Sequence, residues 1–428
     1  MSVSPAPSHR RPTTPPHPQH TFPIRKVLLG FGVLALMTSV TLYVWPWAMR
    51  LHKASTLFKP EEIVYNFTHM AEIFPATRVP ASTQSQPLPV GTAIQLPEQF
   101  AIFGETHNTD EFLKKTGTTG LLVLQNGQIV FEQYYQGHHP DEVHISWSLA
   151  KSTLSALTGI ALHEGLIHSV QDPVDQYAPD LKGTGYEGVR LKDVLQMSSG
   201  IRFNENYDDE KSDIAQLARI EAVGGSFNAY AKNLVNENKP GTYRRYKSFD
   251  TQVLAMVLRG ASGRSIADYM HEKLWQPLGA EHDAWWLVDS NGMEMGFGGF
   301  NATLRDYARF GELYLNEGTL NGSAIVPSTW VNESLTMDGP HLQPGHNPQA
   351  DSAIGYGYQW WIPDSPQRDF LAIGVYDQFI YVSPMTHTVI VKNSADVNYT
   401  SDDYIPTMQH VELFRAIATA ASKRIASQ

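Results

Sequence analysis

Apolar residues run without a charge from Val27 to Trp47, 21 positions in all. At about 1.5 Å per helical residue, such a run spans a hydrocarbon core of roughly 30 Å. Tyr43, Trp45 and Trp47 at its far end have the character of an interfacial aromatic belt. Further on, the apolar runs Thr119–Leu124 and Ile129–Tyr135 flank Asn126-Gly127, a pair that tolerates positive φ at both central turn positions, and together they predict a β-hairpin. From Ile145 to Leu162 the pattern is that of an amphipathic helix, and helical patterns dominate from Ser152 to about Glu317. Strand patterns return at Gly355–Ile362 and Asp377–Val391, and Val411–Ala426 reads as a helix. Strands at both ends with helices between them predict an α/β domain, its sheet assembled from distant segments, packed against an all-α region. No internal repeat is apparent.

The polar positions divide the chain further. Residues 1–26 carry Pro5, Pro7, Pro12, Pro15, Pro16 and Pro18 with Arg10, Arg11, Arg25 and Lys26, which predicts a disordered basic tail. Residues 27–47 then read as an uncleaved transmembrane signal anchor. A cleaved signal peptide is the competing reading, but the run is long for one and no small-x-small site follows, since Met49, Arg50, Leu51 and His52 come next. Basic residues flank both ends; the short tail without acidic residues favours N-inside, C-outside, which in a bacterium places the body of the chain in the periplasm on the inner membrane. Residues 48–99, interrupted by Pro75, Pro80, Pro87, Pro89 and Pro97, are expected to link and wrap onto one catalytic domain at 100–428.

Composition narrows the function. With 42% hydrophobic and 11% aromatic residues the chain can build a sizeable core, and its net charge of -11 argues against nucleic acid as a partner. It has no cysteine, which removes disulfides and thiolate chemistry. Its 17 histidines are scattered, with His138-His139 in a turn before Pro140, so no metal site is expected.

Ser148 and Lys151 stand one helical turn apart at the start of the 145–162 helix, so the amine can reach the hydroxyl. Burial would lower the lysine pKa and let a neutral amine accept the serine proton. The bland alternative is an ordinary helix start, with Ser146 or Ser148 as N-cap and Lys151 solvated.

The spacing Ser148-x-x-Lys151, with Leu191-Lys192-Asp193-Val194-Leu195-Gln196-Met197-Ser198-Ser199-Gly200, Pro240-Gly241-Thr242, Trp275-Gln276-Pro277-Leu278-Gly279 and Gly355-Tyr356-Gly357-Tyr358-Gln359-Trp360-Trp361, resembles the class C branch of the serine β-lactamase-like superfamily. Within it the chain looks most like the 6-aminohexanoate-dimer hydrolases and the related family VIII esterases, over roughly residues 100–425. The resemblance implies a β-lactamase/transpeptidase-like fold, with an antiparallel sheet flanked by helices and a helical domain. It implies that Ser148 is the nucleophile and that Lys151 with Tyr246, in Tyr246-Lys247-Ser248, moves its proton, the phenol's proton affinity being lowered by the lysine ammonium. Ser248 stands where class C β-lactamases carry asparagine.

The lysine of the Lys-Thr-Gly element is missing; Ala372-Ile373-Gly374-Val375-Tyr376-Asp377-Gln378 takes its place. By this match the Ser148 and Val375 amides form the oxyanion hole, and Ser248, Gly374, Tyr376, Asp377 and Gln378 lie along the substrate. Asp377 replaces the family's usual glycine, and is expected either to reshape the site and repel anions or to be a plain surface residue. Tyr207 and Asp208, on an acidic loop after Gly200, are substrate contacts by resemblance and a solvated loop on the bland reading. The expected activity is acyl transfer to water from a small amide or ester, without a cofactor. A β-lactamase or D,D-peptidase, and a non-catalytic membrane-anchored binding or sensor module, are the alternatives.

Overall fold

The computed structural model describes residues 1–4, 24–401 and 404–426, so most of the expected basic tail lies outside the described residues. The chain divides into two units, Met1–Met49 and Arg50–Gln428. The helix Ile24–Ser39 passes through a π turn at Val40–Val44 into the helix Trp45–Ser55. The π turn lies just before Pro46, which has no N–H to give the helical ladder. Thr38 and Thr41 turn their hydroxyls back on the Leu34 and Met37 carbonyls, so neither polar group is left open on an apolar surface. By length and composition Leu28–Ser55 is long and apolar enough to cross a membrane.

The second unit is built on a seven-stranded antiparallel sheet. Its order is Gly355–Tyr356, Trp361–Ile362, Phe370–Gly374, Gln378–Ser383, Thr388–Ser394, Thr118–Gln125 and Gln128–Tyr134. The predicted hairpin forms, with Asn126 at φ 49° and Gly127 at φ 74° in its two-residue turn. Leu149–His163 and Leu304–Leu315 pack on one face, and Thr109–Lys115 and Thr407–Ala426 on the other. Leu122, Leu124, Ile380 and Val391 therefore belong to one core, and Leu121, Val123, Phe379 and Ile390 to a second. Burial on both faces explains why these strands read as continuous apolar runs rather than alternating ones.

A second sheet is made of four short strands, Ala76–Val79, Ala284–Leu287, Phe300–Ala302 and His144–Ile145. Two of its strands interrupt the mostly helical stretch 152–317, and the segment 48–99 adds a strand and the buried Ile63, Phe67, Met70 and Phe74 to the main core. Strands of two to four residues are too short to show a period of two.

The helix Leu149–His163 is not amphipathic in its setting: Leu149 to Ala161 are all buried, between the sheet and the helix Ser248–Ser262. Gly159 is one reason it fits, because a Cβ there would lie 2.2 Å from the Trp330 ring. This central helix fixes where Ser148 sits.

Candidate active site

The strand His144–Ile145 pairs with Phe300–Ala302, and the Ser146 N–H donates to the Phe300 carbonyl. Trp147 then turns the chain at φ 45°, and the helix begins at Leu149. Ser148 is therefore held at the helix N-terminus, but its hydroxyl makes no capping bond. Instead Lys151 Nζ donates to Ser148 Oγ at 2.8 Å, to the Phe297 carbonyl at 2.6 Å and to Ser248 Oγ at 3.4 Å. Lys151 is 2% exposed, so the reading of a capping serine beside a solvated lysine does not hold. Burial pulls the amine down to about 7, against the opposing pull of Glu205, so its neutral form is available near pH 7.

Tyr246 reaches the same point from the segment before the helix Ser248–Ser262. Its N–H donates to Asp351 Oδ2 at 2.7 Å, its ring stacks on Trp361 at 5.3 Å, and its hydroxyl lies beside Ser148. Lys151 Nζ lies 5.1 Å from the centre of the ring. Burial, then Tyr356 and Glu205, push the phenol well above its ordinary value. This runs against the expectation of a phenol with lowered proton affinity: burial beside a carboxylate favours its neutral form.

Ser148 and Tyr246 open onto a cavity of about 230 Å³, walled further by Tyr207, Trp361, Ile373 and Tyr399 and carrying no charged side chain in its lining. Val375 lines it opposite the serine loop. Among the described residues neither the Ser148 nor the Val375 N–H donates to a protein acceptor. Gly374 permits the close approach, since a Cβ there would meet the Ser146 carbonyl at 2.4 Å. Two free N–H donors beside a serine hydroxyl, an amine and a phenol form an arrangement that can stabilise a tetrahedral oxyanion. Among the described residues no group of His, Asp and Glu side chains is arranged to hold a metal ion.

A family model described as Beta-lactamase matches residues 107–408. The chain belongs to the Beta-lactamase family. The 6-aminohexanoate-dimer hydrolase of Paenarthrobacter ureafaciens is 28% identical over 337 residues, covering 77% of this chain and 84% of that protein. A solved structure from Bacillus anthracis, named as a candidate 6-aminohexanoate-dimer hydrolase, superposes with a TM-score of 0.76 at 25% identity, covering 87% of this chain and 96% of its own. A class C β-lactamase mutant shares the fold at a TM-score of 0.54 and 16% identity, covering 73% of this chain and 94% of its own. The protein is thus a homologue of 6-aminohexanoate-dimer hydrolase and a serine hydrolase of the β-lactamase type.

Measured against the residues expected from sequence, this Beta-lactamase family member brings Ser148, Lys151, Tyr246, Gly374, Val375 and Tyr207 together around the cavity. Five others stand back from its lining. Ser248 lies beneath Lys151, with its N–H and Oγ given to Glu205 at 2.8 and 2.6 Å. Tyr376 packs against Trp147 and Phe58. Gln378 braces the loop from behind, donating its amide to the Tyr376 and Ser394 carbonyls at 2.7 and 2.6 Å. Asp208 is exposed on its loop.

Asp377 is neither a substrate-facing carboxylate nor a surface residue. It is 1% exposed and turned inward, with Oδ2 3.1 Å from His410 Nε2. Burial alone would raise its carboxyl, but His410 and Lys392 outweigh burial and hold it below the usual range. Its φ of 66° lies in the left-handed region, which suits glycine and which aspartate enters more readily than most residues.

Glu205, Tyr399 and Ile373 are among the residues of the site that were not foreseen as contacts. Glu205 accepts from Ser248 and from the Tyr207 hydroxyl at 2.9 Å, and its charge acts on both Lys151 and Tyr246. The acidic loop was visible in the sequence, but nothing local distinguished Glu205 from its neighbours.

Proposed function

We propose that this protein hydrolyses small amides or esters with a compact, uncharged acyl group through an acyl-enzyme on Ser148. The observation that carries this reading is the buried Lys151 amine, 2.8 Å from Ser148 Oγ and brought down to about 7. Neutral Lys151 takes the hydroxyl proton as Ser148 Oγ bonds to the substrate carbonyl carbon. The Ser148 and Val375 N–H groups hold the oxyanion. Collapse expels the amine or alkoxide, which takes a proton from Tyr246, and Tyr246 is reprotonated from Lys151. Water then attacks the ester with the same groups in reverse, releasing the acid and free Ser148. The N-terminal helix tethers this unit to a membrane, with the catalytic body on the outer side.

The uncharged cavity walls favour this reading over a β-lactamase or D,D-peptidase, whose substrates bring a carboxylate that no lining residue here would pair. The test sets the full-length protein and its Ser148→Ala variant against a short-chain p-nitrophenyl ester, a short-chain p-nitroanilide and a chromogenic cephalosporin. Ester or amide turnover lost in Ser148→Ala, with slow cephalosporin turnover, is expected. Faster cephalosporin turnover would favour the β-lactamase alternative. No Ser148-dependent turnover, and no labelling by a serine-reactive phosphonate, would leave a binding module.

The pH dependence follows from Lys151. The amine must be neutral to accept the proton, so acylation is expected to rise with pH through about 7. Glu205 favours the ammonium form, so Glu205→Gln is expected to move this limb to lower pH. A limb that stays in place, measured on single-turnover acylation rates, would remove Glu205 from control of the base.

A further inference from the structure

We propose that Phe58 and Phe67, in the segment following the apolar N-terminal helix, are positioning residues that hold the two halves of the oxyanion hole in register. The proposal rests on the reading of the Ser148 and Val375 amides as that hole. Four rings, Phe58, Phe67, Trp147 and Tyr376, form a closed cluster in which every pair is in contact. Phe58 stacks nearly parallel on Tyr376 at 5.0 Å and 9° and lies 6.0 Å from Trp147. Phe67 stands edge-on to both, at 5.4 Å from Trp147 and 5.2 Å from Tyr376. The remaining pairs, Phe58 with Phe67 and Trp147 with Tyr376, lie 6.2 and 6.1 Å apart.

The location of these rings gives the cluster its meaning. Trp147 precedes Ser148 and Tyr376 follows Val375, so each is joined by one peptide to a donor of the hole. Both sit at positive φ, 45° and 60°, a conformation that bulky side chains keep only where their surroundings hold them. The serine turn and the Val375 loop come from different strands of different sheets. Phe58 and Phe67 bridge the two by touching a ring on each. Neither lines the cavity, so any effect on turnover passes through Trp147 and Tyr376.

Their burial makes the idea testable. Phe67 is fully buried in the helix Ile63–Thr68, whereas Phe58 is 45% exposed and can be cut back without opening the core. A ring that only packs would change stability and leave kcat alone. A ring that positions the donors changes kcat, because the donors act only on the oxyanion of the transition state.

The experiment uses the full-length chain in detergent micelles with a short-chain p-nitrophenyl ester. Phe58→Ala is expected to lower kcat roughly tenfold with KM within about twofold, a fraction of what losing a whole oxyanion donor costs. Phe58→Tyr, which keeps the ring, is expected to stay within about twofold of wild type. Amide hydrogen exchange at Gly374 and Gln378, the strand pair that closes the Val375 loop, should quicken in Phe58→Ala and not in Phe58→Tyr. An unchanged kcat in Phe58→Ala, with or without a lower Tm, would overturn the proposal, as would equal losses in both variants. Absence of any Ser148-dependent turnover in wild type would instead refute the hydrolase reading. Exchange at Gly374 and Gln378 would then still decide whether Phe58 braces the loop.

Discussion

Ser148→Ala is expected to lower kcat on the small ester or amide by roughly 10⁴-fold or more, the scale of losing the nucleophile in enzymes that use one. That corresponds to about 5.4 kcal/mol of lost transition-state stabilisation. The effect should be almost purely chemical. Ser148 Oγ caps no helix N–H, and Lys151 keeps the Phe297 carbonyl at 2.6 Å when the hydroxyl is gone. The unfolding midpoint should therefore stay close to wild type, since a helix start that gains nothing from its side chain loses little on truncation. Turnover, phosphonate labelling and a urea titration on the same preparations check all three statements. Labelling that persists at another residue would place the nucleophile elsewhere.

Asp250→Ala should have the largest effect on stability. Asp250 is fully buried, accepts from the Tyr186 hydroxyl at 2.8 Å and Ser199 Oγ at 2.6 Å, and lies 3.6 Å from the Nζ of Lys247. Lys247 is 1% exposed and sits between Tyr246 and Ser248. Removing the carboxylate leaves an ammonium in a dry site with two hydroxyls stripped of their acceptor. Breaking a buried pair in this way costs about 3–5 kcal/mol. Asp250→Asn, which keeps an acceptor for the hydroxyls, should cost less. Because Lys247 is chained to Tyr246, Asp250→Ala should also lose activity at temperatures where it remains folded. An unfolding free energy from urea titration within about 1 kcal/mol of wild type would show that Lys247 finds another partner.

The parts of this molecule that were legible in its sequence are those decided locally. Ser148 and Lys151 are one turn apart on one helix, and Asn126-Gly127 specifies its turn by its own φ preferences. The parts that were not legible are decided by partners far along the chain. Glu205 owes its place to Ser248, 43 residues away, and Asp377 turns inward because His410 waits there on the helix Thr407–Ala426. The raised phenol of Tyr246 follows from burial beside Tyr356 and Glu205, which no motif encodes. Strands as short as His144–Ile145 and Phe300–Ala302 become strands only by pairing with each other, yet they set the turn from which Ser148 projects.

The main sheet also carries a consequence for biosynthesis. Its strand Thr118–Gln125 lies between the hairpin partner Gln128–Tyr134, made moments later, and Thr388–Ser394, made near the end. The hydrogen bond from Thr388 Oγ1 to Gln125 closes a span of 263 residues. Until the ribosome has passed Ser394, the hairpin must wait with one edge unpaired and one apolar face uncovered, a species prone to join the edge of another chain. Closing so long a span is also slow. Ser148 and Val375 can meet only after the later strands have docked, so the nascent chain stays inert for most of its synthesis.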